Sequence, residues 1–228
     1  GLALWNRLAE QGVCALIVPE DDGGMGASAT DLIVAFEVLG NHLAVGPWIE
    51  SAAFLPKALA GSDLGDLAEG AIATVAVAPV TPLALDADAA TAVYAVSGGS
   101  IIKSAAGAQH ASVDITRHLF EVAGVDQSDA FTDATNMAIL ACAAELLGAG
   151  ERLLTDTVAY VSQRKQYGRI IGSYQALKHQ LADVRIALDF ARPLIQGASL
   201  TIEGPTASRD VSAAKLAARL KKEKSKVL

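Results

Sequence analysis

Aromatic side chains are scarce in this chain: Phe, Trp and Tyr make up 5% of its 228 residues. The core must therefore be built from the Ala, Leu, Val and Ile that dominate a 52% hydrophobic fraction, a composition that favours helix. Cysteine is nearly absent. Cys14 and Cys142 lie far apart in apolar settings, which reads as buried, reduced thiols in a cytoplasmic protein rather than a disulfide framework. No signal peptide leads the chain and no apolar run reaches membrane-spanning length, so a soluble protein with no membrane span is expected. Positive charge is also short. Against 25 acidic residues stand 18 basic ones, and a net charge of −7 excludes nucleic acid as the main partner. The basic groups that exist are concentrated in "KLAARLKKEKSKVL", residues 215–228, which carries about +5 and leaves about −12 for the rest. That stretch reads as a solvated amphipathic helix face, with an anionic surface as the alternative.

Several chemistries are missing as well. There is no HExxH, CxxC, GxSxG or GxxxxGK[ST], and His42, His110, His118 and His179 show no metal-ligand spacing, so no metal is expected. "GMGASA" (24–29) matches a dinucleotide-type glycine fingerprint, and the preceding "VCALIV" could be a strand. However, "PEDDG" intervenes and two acids there would repel a pyrophosphate. A tight loop ahead of a capped helix is the better reading.

What is present reads as helix, then a little strand, then helix. Leu4, Trp5, Leu8 and Ala9 share one helical face. Ser28 or Thr30 can cap a second helix, in which Leu32, Ile33, Phe36 and Leu39 recur and Gly40 marks a stop. Pro47, Pro56 and Gly61 punctuate shorter helices after it. From residue 71 three strand-like runs follow, "AIATVAVAPV", "ATAVYAV" and "SVDITRHLFEV", with turns at Pro79, Pro82, Gly98, Gly99 and Gly107. Helix returns over about 133–165, with Leu140, Leu147, Leu153, Leu154, Val158 and Val161 as its core side. It breaks at Gly168 and Gly172. Ser173 can cap the next helix, where Leu177, Leu181, Val184, Leu188 and Ile195 recur, and Pro193 should end or kink it. The expected fold is mostly α with a small β-domain: an N-terminal helical domain (1–69), a reduced β-domain (70–128) and a C-terminal helical bundle (129–228).

The break itself, "SQRKQYGRIIGSYQALKHQLAD" (162–183), carries the chemistry. Arg164, Gln166 and Arg169 suit phosphate oxygens and a polar ring edge. Glycines let backbone approach a ligand, and Tyr167 and Tyr174 can flank a flat heterocycle. A solvated interhelical corner explains the same residues without function.

"RKQYGRIIGSYQALKHQLADV" closely resembles the R-x-x-F-G-x-x-I-x-x-F-Q-x-x-x-H-x-L-A-D signature of the acyl-CoA dehydrogenase family's C-terminal helical domain. "GLALWNRLAEQGVCALIVPEDDGGMGASATDLIVAFEVLG" is similar to that family's L-x-E-x-G-x-x-x-x-x-x-P-E-x-x-G-G-x-G segment. The resemblance implies FAD-dependent oxidation of an acyl-CoA thioester to the enoyl-CoA, a glutamate base, an electron-acceptor flavoprotein, and a dimer or tetramer with FAD at a subunit interface. Carried over, Arg164 would pair with the pyrophosphate of a neighbour's FAD and Gln166 would hydrogen-bond nearby. Tyr167, Ile171, Tyr174, Gln175 and Leu177 would enclose the adenosine end.

Departures from the family pattern are equally specific. The T-E-x-x-A-G-S-D loop and W-I-T strand do not appear, and residues 71–125 contain no Trp. Neither the Y-E-G-T segment that carries the catalytic glutamate in many members nor the Q-x-x-G-G-x-G loop is found. Where members place the base on the first bundle helix, the corresponding position is Ala138, so no catalytic residue is identified. Glu145 and Glu151 lie further along and are poor substitutes. Two explanations stand together: a non-catalytic subunit of a heteromeric enzyme of the actinobacterial kind, or a chain that lacks segments. The alternative to both is a structural subunit or relic that binds no flavin.

Overall fold

The computed structural model describes residues 1–219, so most of the basic stretch at 215–228 lies outside the described residues. The chain forms two compact units, residues 1–32 with 44–138 and residues 33–43 with 139 onward. The order helix, small sheets, helical bundle is as the sequence implies.

In the first unit, α1 (Leu2–Glu10) buries Trp5 alone, and Leu4 is left exposed. Trp5 stacks on Trp48 with ring centroids 3.8 Å apart and donates its indole N–H to Gly70 O. "VCALIV" forms consecutive turns, not a strand. The glycine-rich loop leads into α2 (Ala29–Asn41). Of the two candidate caps, Ser28 does the work: Asp31 N–H donates to Ser28 Oγ, and Ser28 N–H and Oγ–H both donate to the Asp31 carboxylate. These bonds hold the Asp31 carboxyl below its usual value. Pro56 does not separate two helices. It lies at the start of α3 (Leu55–Ala58), directly after a π turn over Glu50–Phe54, where a first-turn residue needs no N–H partner. Next comes α4 (Ser62–Ala68).

The β-region holds more than the three expected runs. Six strands form: β1 (Ala73–Ala76), β2 (Ala84–Leu85), β3 (Ala92–Ser97), β4 (Ser100–Ser104), β5 (Ala106–His110) and β6 (Leu119–Val122). They make two three-stranded sheets, β1-β3-β4 and β2-β6-β5, with β1 and β3 parallel and the other pairings antiparallel. Gly107, expected at a turn, is inside β5, and "SVDIT" is loop. Buried Val75, Tyr94 and Val96 pack in one cluster with Phe54, Leu55 and Leu67. Ser51 Oγ exchanges hydrogen bonds with Ala73 of β1, which ties the π turn to the sheet edge.

The second unit is built from α5 (Thr132–Gln163) beyond its first two turns, α6 (Gln175–Leu200) and α7 (Ala207–Ala218), with the last turns of α2. Where α2 crosses α5, Gly40 and Gly148 face backbone carbonyls, of Glu145 and Glu37 respectively. A Cβ on either glycine would overlap the facing oxygen, so only glycine permits the crossing. Leu140, Leu147 and Val161 are buried as expected, but Leu153 is 62% and Val158 43% exposed. Pro193 lies within α6 without ending it; the residue is exposed, so the carbonyl one turn back can turn to water.

An ion cluster reinforces this unit. Arg185 grips Glu151 with two hydrogen bonds of 2.6 and 2.7 Å and also donates to Asp189. Arg192 donates twice to Glu37 and once to Glu151.

Candidate functional site

The connection between α5 and α6 is not an open loop. Residues β7 (Lys165–Gln166) and β8 (Arg169–Ile170) pair as a two-stranded hairpin, followed by a 3-10 turn over Ile171–Ser173. Arg164 N–H still bonds back to Tyr160 O, and Ile171 N–H donates to Arg164 O at 2.8 Å, which closes the base of the hairpin onto the helix end. Tyr167 (φ +52°) and Gly168 (φ +80°) are both left-handed, the geometry of a tight two-residue hairpin turn. Ser173 does not cap α6, whose N-cap is Tyr174. The Ser173 hydroxyl donates instead to Ile170 O, tightening the 3-10 turn.

Every residue from 162 to 170 is exposed, and Tyr167 is 92% exposed. The hairpin carries three cations, Arg164, Lys165 and Arg169. None of them enters an ion pair among the described residues. The Arg169 guanidinium lies over the Tyr174 ring, 3.8 Å from its centroid. Lys165 and Arg169 thus join the residues singled out from the signature. Both are visible in "RKQYGRI", but their placement on a hairpin and the Arg169–Tyr174 stack are not.

Of the residues assigned to a nucleotide, Arg164, Gln166 and Tyr167 stand exposed on the hairpin and its root, and Gln175 is exposed at the first turn of α6. Ile171, Tyr174 and Leu177 are half-buried. Leu177 also lines an apolar groove of about 490 Å³, whose walls include Leu153, Leu154, Val161 and Leu181 from α5 and α6 and Leu216 from α7. The face of α6 expected to be core is therefore only half covered: Leu188 and Ile195 are buried, whereas Leu177, Leu181 and Val184 line the groove.

The carboxylate inventory of α5 is informative. Ala138 is half-buried against the apolar cluster of the first unit and offers no proton acceptor. Glu151 is committed to Arg185 and Arg192; their hydrogen bonds, those of Arg185 above all, hold its carboxyl below the usual range. A carboxylate so held is a structural anion and a poor base.

Cys14 is buried, and burial pushes its thiol up to about 12, so it is inert at neutral pH. Cys142 is half-buried. Two histidines pair with acids, His110 with Glu121 and His118 with Asp88. Among the described residues no helix is long and apolar enough to cross a membrane.

Residues 2–63 match the N-terminal domain of acyl-CoA dehydrogenases, and residues 129–222 match the C-terminal domain. The chain is similar to acyl-CoA dehydrogenase IpdE2 of Mycolicibacterium smegmatis, at 35% identity over 90% of this chain and 68% of that protein. The Mycobacterium tuberculosis protein of the same name is 34% identical over 86% of this chain and 64% of its own length. The chain thus spans about two thirds of these relatives. Among solved structures, the ChsE4–ChsE5 complex from Mycobacterium tuberculosis shares the fold with a TM-score of 0.74 at 22% identity, over 95% of this chain and 73% of that one. Butyryl-CoA dehydrogenase from Megasphaera elsdenii does so with a TM-score of 0.74 at 19% identity, over 95% and 75%. With both of its helical regions matched and a relative of this similarity along nearly its whole length, the chain belongs to the acyl-CoA dehydrogenase family.

Proposed function

We propose that this chain is the FAD-completing subunit of an oligomeric, cytoplasmic acyl-CoA dehydrogenase that oxidises an acyl-CoA thioester to the enoyl-CoA and passes electrons to an acceptor flavoprotein. Its parts would be an N-terminal helical domain (1–69), a small β-domain (70–128) and a C-terminal helical domain (129–228). The observation that carries this reading is the 164–170 hairpin, three cations without anionic partners among the described residues on a two-stranded arm. The donor set suits FAD: guanidinium and ammonium groups match a diphosphate, Gln166 supplies an amide, and Tyr167 is open to stack on a ring.

When bound, the flavin supplies the hydride acceptor. Arg164 and Gln166 would hold the phosphates and an adjacent polar group. Tyr167, Ile171, Tyr174, Gln175 and Leu177 would enclose the adenosine end. The proton acceptor would come from elsewhere: Ala138 cannot take a proton, Glu151 is held by arginines, and Glu145 lies about two helical turns past Ala138. A partner chain that brings the carboxylate accounts for this gap. The exposed Leu153 and Phe190, 62% and 70% accessible on α5 and α6, suit burial against such a chain. The ChsE4–ChsE5 relative is itself described as a complex of two proteins.

The test is co-expression with the adjacent genes, followed by the mass of the complex and its flavin-to-chain ratio. A yellow assembly is expected. Arg164→Ala removes a charge-assisted bond of roughly 1.5–3 kcal/mol and should weaken flavin retention about tenfold or more. Unchanged retention would reject the role of Arg164. A colourless assembly that takes up no FAD would mark a structural subunit.

A further inference from the structure

Away from the hairpin, in the β-region, Asp86, Asp88 and His118 each present one potential ligand atom, and the three atoms lie within 4.8 Å of one another. Asp86 and Asp88 follow β2, and His118 immediately precedes β6, with which β2 pairs. Asp86 N–H donates to His118 O at 2.7 Å and His118 N–H returns a bond to Asp86 Oδ1 at 2.9 Å, so the two backbones are locked together. His118 Nδ1 lies 2.8 Å from Asp88 Oδ2.

The Asp86 carboxylate is the informative member. The residue is only 8% exposed, yet among the described residues its side chain accepts that single backbone hydrogen bond. An ionised carboxylate has about four acceptor positions, so most of those of Asp86 remain open to a further donor or to a cation. The Asp88 and His118 side chains beside it pair with each other and send no side-chain hydrogen bond to Asp86 among the described residues. A single ion placed among the three groups would satisfy all of them.

We propose that Asp86, Asp88 and His118 bind one divalent transition cation, with Zn²⁺ the best match. An imidazole nitrogen and two carboxylate oxygens form a mixed donor set suited to a borderline cation, and water completes a four-coordinate shell. Tetrahedral Zn²⁺ with ligands at about 2.0–2.2 Å sets ligand atoms roughly 3.3 Å apart. The 2.8 Å pair is already close to that spacing. The wider separation closes by rotation of Asp88 and His118, whose side chains are 46% and 45% exposed, as the ion replaces their mutual 2.8 Å contact. Because β2 and β6 pair through only two registered positions, the ion acts as a staple between the turn after β2 and the start of β6.

The experiment uses the full chain, with its partner if the two purify together, stripped with chelator and dialysed against Zn²⁺, with metal counted per chain. Co²⁺ substitution gives a second readout through the ligand-field absorption of the bound ion. One ion per chain is expected, with a rise in Tm on metal addition. His118→Gln and Asp88→Asn should each weaken binding by about tenfold or more and abolish the Tm rise. Both residues are exposed enough for the variants to fold, and circular dichroism checks that they do. No saturable binding to the wild type would overturn the proposal. Equal binding by wild type and both variants would overturn it too, by placing the ion elsewhere.

Discussion

The chain makes the same tight turn twice under opposite circumstances. Between β3 and β4 the turn residues are Gly98 (φ +53°) and Gly99 (φ +79°); between β7 and β8 they are Tyr167 (φ +52°) and Gly168 (φ +80°). The first hairpin uses glycine where the backbone is left-handed, and the β3 strand behind it is buried from Val93 to Val96. The second places an aromatic residue in that conformation, at a cost of about 1 kcal/mol, and leaves the ring 92% exposed. Packing within the described chain returns nothing for that strain. The first hairpin is therefore backed by packing, and the second holds a strained aromatic residue that no packing among the described residues repays.

What holds the second arm up differs as well. The first hairpin rests on an apolar cluster of Val75, Tyr94 and Val96. The helices that carry the second rely in part on ions: Glu151 on α5 meets Arg185 and Arg192 on α6. Glu151→Gln should therefore cost the most stability, about 2 kcal/mol, because it removes charge from a bidentate, half-buried pair. The loss should depend on pH. The folded-state Glu151 carboxyl titrates below its usual value of 4.5, so its contribution is complete above that value and drains away as pH falls through the lowered one. Wild type and Glu151→Gln should thus converge in Tm as the solution is acidified below pH 4.5, and parallel curves would assign the stability to packing instead.

The order of architecture was legible in the sequence because its strongest signals are local. Helical spacing places α2, α5 and α6, and Ser28 stands among the two candidate caps, although its Asp31 partner shows only in the structure. β1 and β3 show as β-branched runs because they are buried on both faces. β4 and β5 escape notice for the opposite reason: β4 (SIIKS) sets two isoleucines side by side and β5 (AGAQH) is exposed throughout, so neither carries an alternation to detect. Leu153 and Val158 mislead in the other direction, since hydrophobicity alone does not say whether a residue is covered within its own chain. At the candidate site the residue identities were readable, but the hairpin was not. A Tyr-Gly turn lacks the Asn-Gly or Gly-Gly signature that marks such turns, so its strain hides its geometry. The Asp86–His118 juxtaposition is equally invisible to spacing, being created by β-pairing across 32 residues.

A more modest effect tests the turn comparison from its buried side. Gly98→Ala adds a Cβ that meets nothing within 4 Å, so space does not oppose the change. Only the left-handed φ does, and chemical denaturation should show a loss of about 1 kcal/mol. A neutral result would mean that this turn tolerates a side chain freely, and Tyr167 in the matching position would then carry no strain either.

The smallest change in stability belongs to the reciprocal substitution, and it separates fold from function. Tyr167→Gly relieves the left-handed strain, gives up no buried contact, and adds freedom to the unfolded chain. The two backbone effects oppose each other, so the melting midpoint should rise slightly or stay within about 0.5 kcal/mol of wild type. Flavin retention by the assembled complex should nevertheless fall, since the ring that would stack on the nucleotide is gone. A variant that is as stable as wild type but poorer in flavin is the outcome expected of an arm shaped for a ligand. If instead stability drops by more than about 1 kcal/mol while flavin is retained, Tyr167 serves packing against a neighbouring chain, and the hairpin belongs to the interface rather than to the cofactor.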